Sequence, residues 1–362
     1  MIAFLDPRPR EADLVAAIDA AWGRVTASGR YLLGAELEGF EHALARHEEV
    51  EHCVAVGSGL DALFLLLKAH GIGPGDEVIV PSNTFIATWL AVAHCGATPV
   101  PVDPDPATFN LDAGRVAQAI TSATAAVVPV HLYGRPAPMA ALEQLAERHG
   151  LLLVADAAQS IGSRYQGRRA SSYGHGAATS FYPGKNLGAM GDGGAVLTHD
   201  ASIARAVRAL RNYGSSGKHE HPADGWNSRL DEIQAAVLHA KLPYLDAWNE
   251  RRAALATLYA EALSGSVATP PDDDDEFRSS WHLYVIRSAD RERLRAGLTD
   301  RGIEHGIHYP RPPHRQGAFD GFASRRLPVA DELATSVLSL PLGPYLAADD
   351  ARAVAEAVRG RP

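Results

Sequence analysis

Ser180 to Ala195 reads SFYPGKNLGAMGDGGA, a stretch that encloses one lysine, Lys185, among glycines, a proline and an asparagine. No acidic residue lies within six positions of Lys185, so an ion pair with a sequence neighbour does not account for it. Gly184 and Gly188 allow a turn that brings the side chain inward. In a partly desolvated pocket the ammonium form is disfavoured, and the neutral amine is the form that makes a Schiff base with an aldehyde. Taken alone, the stretch reads as a solvated loop. Its meaning depends on what stands around it.

Upstream, from residue 52 to about 200, short β-rich runs (HCVAV, DEVIVPS, TPVPVD, AAVVPVHL, LLLVADAA and GAVLTHD) alternate with helical segments such as DALFLLLKAHG and PMAALEQLAERHG. This alternation predicts an α/β domain with a mostly parallel, buried sheet. Ligands of such sheets gather at the carboxyl ends of the strands. Downstream, residues 228 to 263 are strongly helical, with Pro243 predicted to break the run in two. PPDDDDEF reads as a solvated loop, since four adjacent carboxylates do not converge on a metal. SSWHLYVIR, DRERLRAGLTDRG and IEHGIHY then predict strand, helix and strand, and a last helix is expected near ADDARAVAEAVRG. The division expected is a large domain over 1–245 and a smaller C-terminal α/β domain over 246–362.

The 362 residues carry 34 basic and 43 acidic side chains, a formal net charge of −9, which argues against an extended nucleic-acid surface. Bound phosphate would sit in a local pocket. Cys53 and Cys95, the only cysteines, stand in apolar runs, so no disulfide framework is expected and a reducing cytoplasm fits. No secretion signal or membrane span is expected.

Two further motifs complete the chemistry. In HCVAVGSGLDALFLLL a strand enters a glycine turn and a helix; Gly57 and Gly59 permit close backbone approach, Ser58 offers a hydroxyl, and the helix start offers free N–H groups to a phosphate. GSGLDA also matches G-x-G-x-x-A, which keeps a nicotinamide-dependent Rossmann oxidoreductase as the alternative of a different class. Asp76 and Glu77, however, precede the second strand instead of ending it. In LLLVADAAQS an apolar strand runs into Asp156, and a buried carboxylate needs a partner such as a protonated ring nitrogen; a helix cap is the plainer alternative. A phosphate cradle, a strand-end aspartate and a later lysine are together the contacts that hold pyridoxal phosphate by its phosphate, ring nitrogen and aldehyde.

With these motifs in order, together with SGRYLLGAELEGFE, VPSNTFIAT, VPVHLYGRP, WNSRLDEIQAAVL, HLYVIR and IHYPRPPH, nearly the whole chain resembles the DegT/DnrJ/EryC1/StrS sugar aminotransferases. The resemblance implies the aspartate aminotransferase (type I) fold, with a mixed, mostly parallel sheet in the large domain, and pyridoxal 5'-phosphate as cofactor. It implies that Lys185 holds the cofactor aldehyde and Asp156 pairs with the ring nitrogen, that Gln159 lies by the ring hydroxyl, and that Ser180, Ser58 and the Gly59 and Leu60 amides bind phosphate. Phe85 would stack on the ring. Asn227 would reach the cofactor phosphate of a partner subunit, implying a homodimer with shared sites. Within the chain, Ser228 and Asp231 also resemble a capping pair, with Asn227 serving that turn. No metal is implied.

The same resemblance implies ping-pong transamination of a nucleotide-linked keto-sugar with an amino acid donor, L-glutamate being usual. HLYG and Tyr182 look like members acting on dTDP-3-keto-6-deoxyhexoses, many 4-keto enzymes having histidine at that place; the 4-aminotransferase is the alternative. Tyr182, His308 and Tyr309 are candidates for the sugar site, and Lys218 and Arg311 for the diphosphate. A sugar dehydratase would replace Lys185 by histidine, and a non-catalytic regulator would not need the Lys185, Asp156 and Gln159 set.

Overall fold

The computed structural model describes residues 1–360. Its centre is a seven-stranded sheet of β1 (His52–Val56), β2 (Glu77–Pro81), β3 (Thr98–Val102), β4 (Thr124–Val127), β5 (Leu152–Asp156), β6 (Gly176–Ser180) and β7 (Gly194–Thr198), in the order β1-β7-β6-β5-β4-β2-β3. Neighbours from β3 through β6 run parallel, whereas β7 lies antiparallel to both β1 and β6. The sheet is therefore mixed and mostly parallel. Both faces are covered, because side chains alternate along each strand. Leu153 and Ala155 enter one core with Leu37, Phe40 and Leu44, while Val154 joins Val54, Val56, Val78 and the Leu63–Leu67 run on the other.

This order disposes of the Rossmann alternative. In that fold the first strand lies centrally between parallel neighbours; here β1 is at the edge and its one partner in the sheet is antiparallel. The strand β6 was not visible as a β-rich run, since GAATS carries mostly small residues. It is nevertheless buried along nearly its whole length.

Pro243 falls in a 3₁₀ turn, Leu242–Tyr244, between helices Glu232–Lys241 and Leu245–Leu263, as its fixed φ and missing N–H require. The smaller layer packs helices Leu245–Leu263, Arg291–Asp300 and Ala348–Val358 around β8 (Tyr284–Arg287) and β9 (Val337–Leu340), an antiparallel pair. The strand expected at IEHGIHY is not formed. That segment makes only single bridges, Ile303 to Ile2 and Gly306 to Ser339, so it touches the outer edge of β9 at one residue instead of running along it. Through the first bridge the N-terminal residues lie on the smaller layer.

No helix among the described residues is long and apolar enough to cross a membrane. Nor do they hold a His/Cys/Asp/Glu cluster suited to a metal. Cys53 and Cys95 are free thiols.

Candidate active site

The carboxyl ends of β1, β5 and β6 open on one side of the sheet, and β7 begins there. Between them and the smaller layer lies a cleft of about 1790 Å³, part of it open to solvent. Its walls include Ser58, Gly59, Leu60, Phe85, Asp156, Gln159, Ser180, Tyr182, Lys185, His308 and Tyr309. Asn227, Lys218 and Arg311 are exposed and stand outside the cleft of their own chain.

Ser58 caps the helix Gly59–Ala69, its Oγ accepting from Asp61 N at 3.1 Å. The first amides of that helix have no intrahelical acceptor, so the helix start presents positive charge to the cleft. Two glycines make the packing sterically feasible. A Cβ on Gly59 would lie 2.6 Å from Ser180 Cβ, and one on Gly194 would lie 2.4 Å from Ser58 O. Ser228 clamps the same turn, accepting from Gly57 N at 3.0 Å and donating to Asp61 Oδ2 at 2.7 Å. This corrects the capping-pair expectation for Ser228 and Asp231: Asp231 occupies the cap position of the next helix but makes no side-chain cap bond.

Asp156 ends β5 and is 9% exposed. Its carboxylate accepts from Thr88 Oγ1 at 2.7 Å and from Ala158 N at 3.1 Å, and Thr88 is in turn bonded to Thr84 at 2.8 Å. Burial raises the Asp156 pKa; the two hydrogen bonds and the Lys185 charge oppose that rise. Lys185 has its amine pushed down to about 8 by burial, the Asp156 charge working the other way. The two groups form no ion pair within 4 Å among the described residues, so each remains open to a ligand between them.

The lysine loop is held from behind. A Cβ on Gly188 would fall 2.4 Å from Pro183 O, so glycine is needed there, whereas Gly184 meets only ordinary contacts. Lys241 Nζ donates to Gly188 O at 2.7 Å, and Asn186 Nδ2 reaches Asn249 Oδ1 at 2.8 Å and Ser280 O at 2.7 Å. On the other wall, Gln159 Oε1 accepts from Tyr133 N at 2.6 Å and its Nε2 donates to Tyr309 Oη at 2.9 Å. The Tyr133 hydroxyl donates to the His308 carbonyl, tying the HLYG segment to the smaller layer. Phe85 is 53% exposed and tilts towards Tyr309, ring centroids 5.4 Å apart. His308 is pushed down to about 4 by burial and by Lys185 and is therefore neutral near pH 7.

Thr88, Ser228, Asn186 and His282 were not singled out from the sequence as site residues. Thr88 sits in the quoted NTFIAT and His282 in HLYVIR, but their partners are distant in the chain.

A mixed sheet with an antiparallel strand beside the edge strand, and a lysine, an aspartate and a helix start facing one cleft, define a type I aminotransferase fold. The chain belongs to the DegT/DnrJ/EryC1/StrS aminotransferase family, whose pattern matches residues 13–359. It is 53% identical, over 99% of its length and 95% of the relative's, to a dTDP-3-amino-3,4,6-trideoxy-alpha-D-glucose transaminase of Streptomyces venezuelae. It is 44% identical, over 99% of each chain, to a dTDP-3-amino-3,6-dideoxy-alpha-D-galactopyranose transaminase of Aneurinibacillus thermoaerophilus. Among solved structures it is similar to S. venezuelae DesV in complex with a ketimine intermediate, with TM-score 0.96, 52% identity, and coverage of 99% of this chain and 98% of that one.

Proposed function

We propose that the protein transfers an amino group from an amino acid, L-glutamate, to C3 of a dTDP-linked 3-keto-6-deoxyhexose, with pyridoxal 5'-phosphate as resident cofactor. The observation that carries the reading is the convergence on one cleft of the Ser58–Gly59 helix start, the buried Asp156 and the amine of Lys185. The residues fit the group. The Gly59 and Gly194 contacts leave no room for a Cβ where a phosphate would meet backbone amides, and Asp156 is a buried carboxylate without a cationic partner within 4 Å among the described residues. Ser58, Ser180 and the Gly59 and Leu60 amides would hold the phosphate. Asp156 would face the ring nitrogen, Phe85 the ring face and Gln159 the ring hydroxyl. When bound, the cofactor supplies an electron sink and a carrier for the amino group.

Lys185 does the proton work. With its pKa lowered to about 8 from 10.5, the free amine is neutral to roughly one part in five at pH 7.4, far more than an ordinary lysine, and in that form it can take the proton from the donor's α-carbon. In the second half-reaction the same Nζ returns a proton to C3 of the sugar. Thr88 favours the ionised form of Asp156 by donating to it, against the burial that disfavours it. Tyr182, His308 and Tyr309 line the sugar side of the cleft in this reading. Asn227, Lys218 and Arg311 lie outside their own cleft, which suits a homodimer in which Asn227 reaches the partner's cofactor phosphate and the two cations meet diphosphate.

The substrate class rests on the relatives, two of which are named as transaminases of dTDP-3-amino sugars. The test is to offer L-glutamate with dTDP-linked 3-keto and 4-keto hexoses and to locate the new amine by NMR. Amination at C3 is expected; amination only at C4 overturns the choice of carbon, and no amination of either overturns the substrate class.

A further inference from the structure

Two backbone carbonyls fix the hydrogen positions of a buried network beside the lysine. Ser280 O lies 2.7 Å from Asn186 Nδ2 and Ile161 O lies 3.1 Å from Asn249 Nδ2. A carbonyl only accepts, so each must face an amide nitrogen, and neither asparagine can be turned over without setting oxygen against oxygen. Asn249 Oδ1 then accepts from Asn186 Nδ2 at 2.8 Å. Asn186 has thus used both N–H groups. Its Oδ1 is left facing His282 Nδ1 at 3.1 Å, and because an amide oxygen cannot donate, His282 must carry its proton on Nδ1.

The opposite ring nitrogen, Nε2, consequently presents a lone pair. His282 lines the cleft together with Lys185, the chain neighbour of the asparagine that holds it. Burial and the facing cations and histidine (Lys185, Arg252 and His308) hold the imidazole well below its usual pKa of 6.5, so it stays neutral.

We propose that His282 is a positioning residue: its Nε2 lone pair accepts one N–H of the free Lys185 amine and so aims the amine's own lone pair at the proton it moves. No bond to carbon is made or broken by His282, and no proton leaves it. The inference rests on the proposed function only in needing Lys185 to act on an amino donor, and its test does not involve the sugar.

The test has two parts, both on holoenzyme. NMR of protein labelled with ¹⁵N-histidine is expected to report His282 as the Nδ1–H tautomer from pH 6 to pH 9; an Nε2–H tautomer, or an imidazolium at pH 7, overturns the proposal. Exchange of the L-glutamate α-proton in D2O, followed by ¹H NMR, then reads the proton transfer directly. His282→Leu is expected to slow exchange about 10–100-fold, the scale set by misorienting a catalytic group, without weakening glutamate saturation. His282→Gln, whose side-chain oxygen can accept in place of Nε2, is expected to recover most of it. Asn186→Asp places a carboxylate on Nδ1, favours the imidazolium and should make exchange fall on the acid side of neutrality. Unchanged exchange in His282→Leu, or equal loss in the Leu and Gln variants, overturns the proposal. If exchange behaves as expected while no keto-sugar is aminated, the substrate reading fails and the His282 assignment stands.

Discussion

Replacing Thr88 by valine removes one hydrogen-bond donor and almost no volume, so its effect can be assigned to the Asp156 carboxylate. The single hydroxyl proton of Thr88 goes to Asp156 Oδ2 at 2.7 Å, and Thr84 therefore donates to Thr88 across 2.8 Å. A hydrogen bond to a charged group contributes roughly 1.5–3 kcal/mol. At about 1.4 kcal/mol per pKa unit, its loss lifts the Asp156 pKa by a further 1–2 units or so. A carboxyl whose folded pKa lies above its unfolded value of 3.8 destabilises the fold when ionised, and the cost grows with the gap. Apoprotein carrying Thr88→Val should accordingly melt a few degrees below wild type at pH 8. Part of that difference must close as the pH falls towards 3.8, where Asp156 becomes protonated in both states. Thr84 also loses its acceptor, but that cost is neutral and does not vary with pH. Calorimetry of both apoproteins between pH 4.5 and pH 8 separates the two. A melting difference that does not change across this range refutes the role given to Thr88, as does unchanged stability throughout.

Gly59→Ala would set a methyl 2.6 Å from Ser180 Cβ; overpacking of this kind costs about 1–3 kcal/mol, and equilibrium dialysis should find pyridoxal phosphate bound roughly 10–100-fold more weakly. Capture of pyridoxal phosphate by apoenzyme, followed by stopped-flow absorbance, should accelerate with pH and level off above about 8, the Lys185 value, instead of climbing to 10.5. His47, drawn up to about 9 against its burial by hydrogen bonds to Asp246 and Glu48, contributes stability that is full below 6.5 and lost as pH rises through 9. Discounted for the exposure of Asp246, that contribution is about 1–2 kcal/mol, and His47→Gln should flatten the melting profile over this window. Mixing inactive Lys185→Ala and Asn227→Ala proteins should restore part of the activity if sites are shared between subunits; complete silence of the mixture argues against sharing.

The residues legible in the sequence were those whose chemistry is local. Lys185 stands in a glycine-lined loop, Asp156 at the end of an apolar run and Ser58 at a strand-to-helix turn, and each could be read from its neighbours. Thr88 acquires its role from Asp156, 68 positions away, and His282 from Asn186, 96 positions away. No spacing rule reaches that far. Ser228 was misread for the same reason: three positions from Asp231 it resembled a cap, but its partners Gly57 and Asp61 lie on the far side of the sheet's sequence. In the smaller layer, IEHGIHY has strand-like composition, yet it meets the outer edge of Val337–Leu340 at Gly306 alone, and composition does not say where pairing stops. The strand β6 escaped notice because small residues carry little β preference, although tight packing against the helix Gly59–Ala69 demands them.

The antiparallel placement of β7 also sets an order of events during synthesis. Gly194 closes on Ser58 O from a strand that cannot be made until some 140 further residues have left the ribosome, and the Ser180 hydroxyl arrives on the strand beside it. Contacts of such long sequence separation form late. The pocket proposed for phosphate therefore does not exist on a nascent chain that has only its first strands, and a vitamin B6 cofactor held there could not template the early sheet. In the reading proposed above, capture of that cofactor would mark a chain whose last central strand, Gly194–Thr198, is in place, so loading would discriminate molecules with a closed central sheet from those without one.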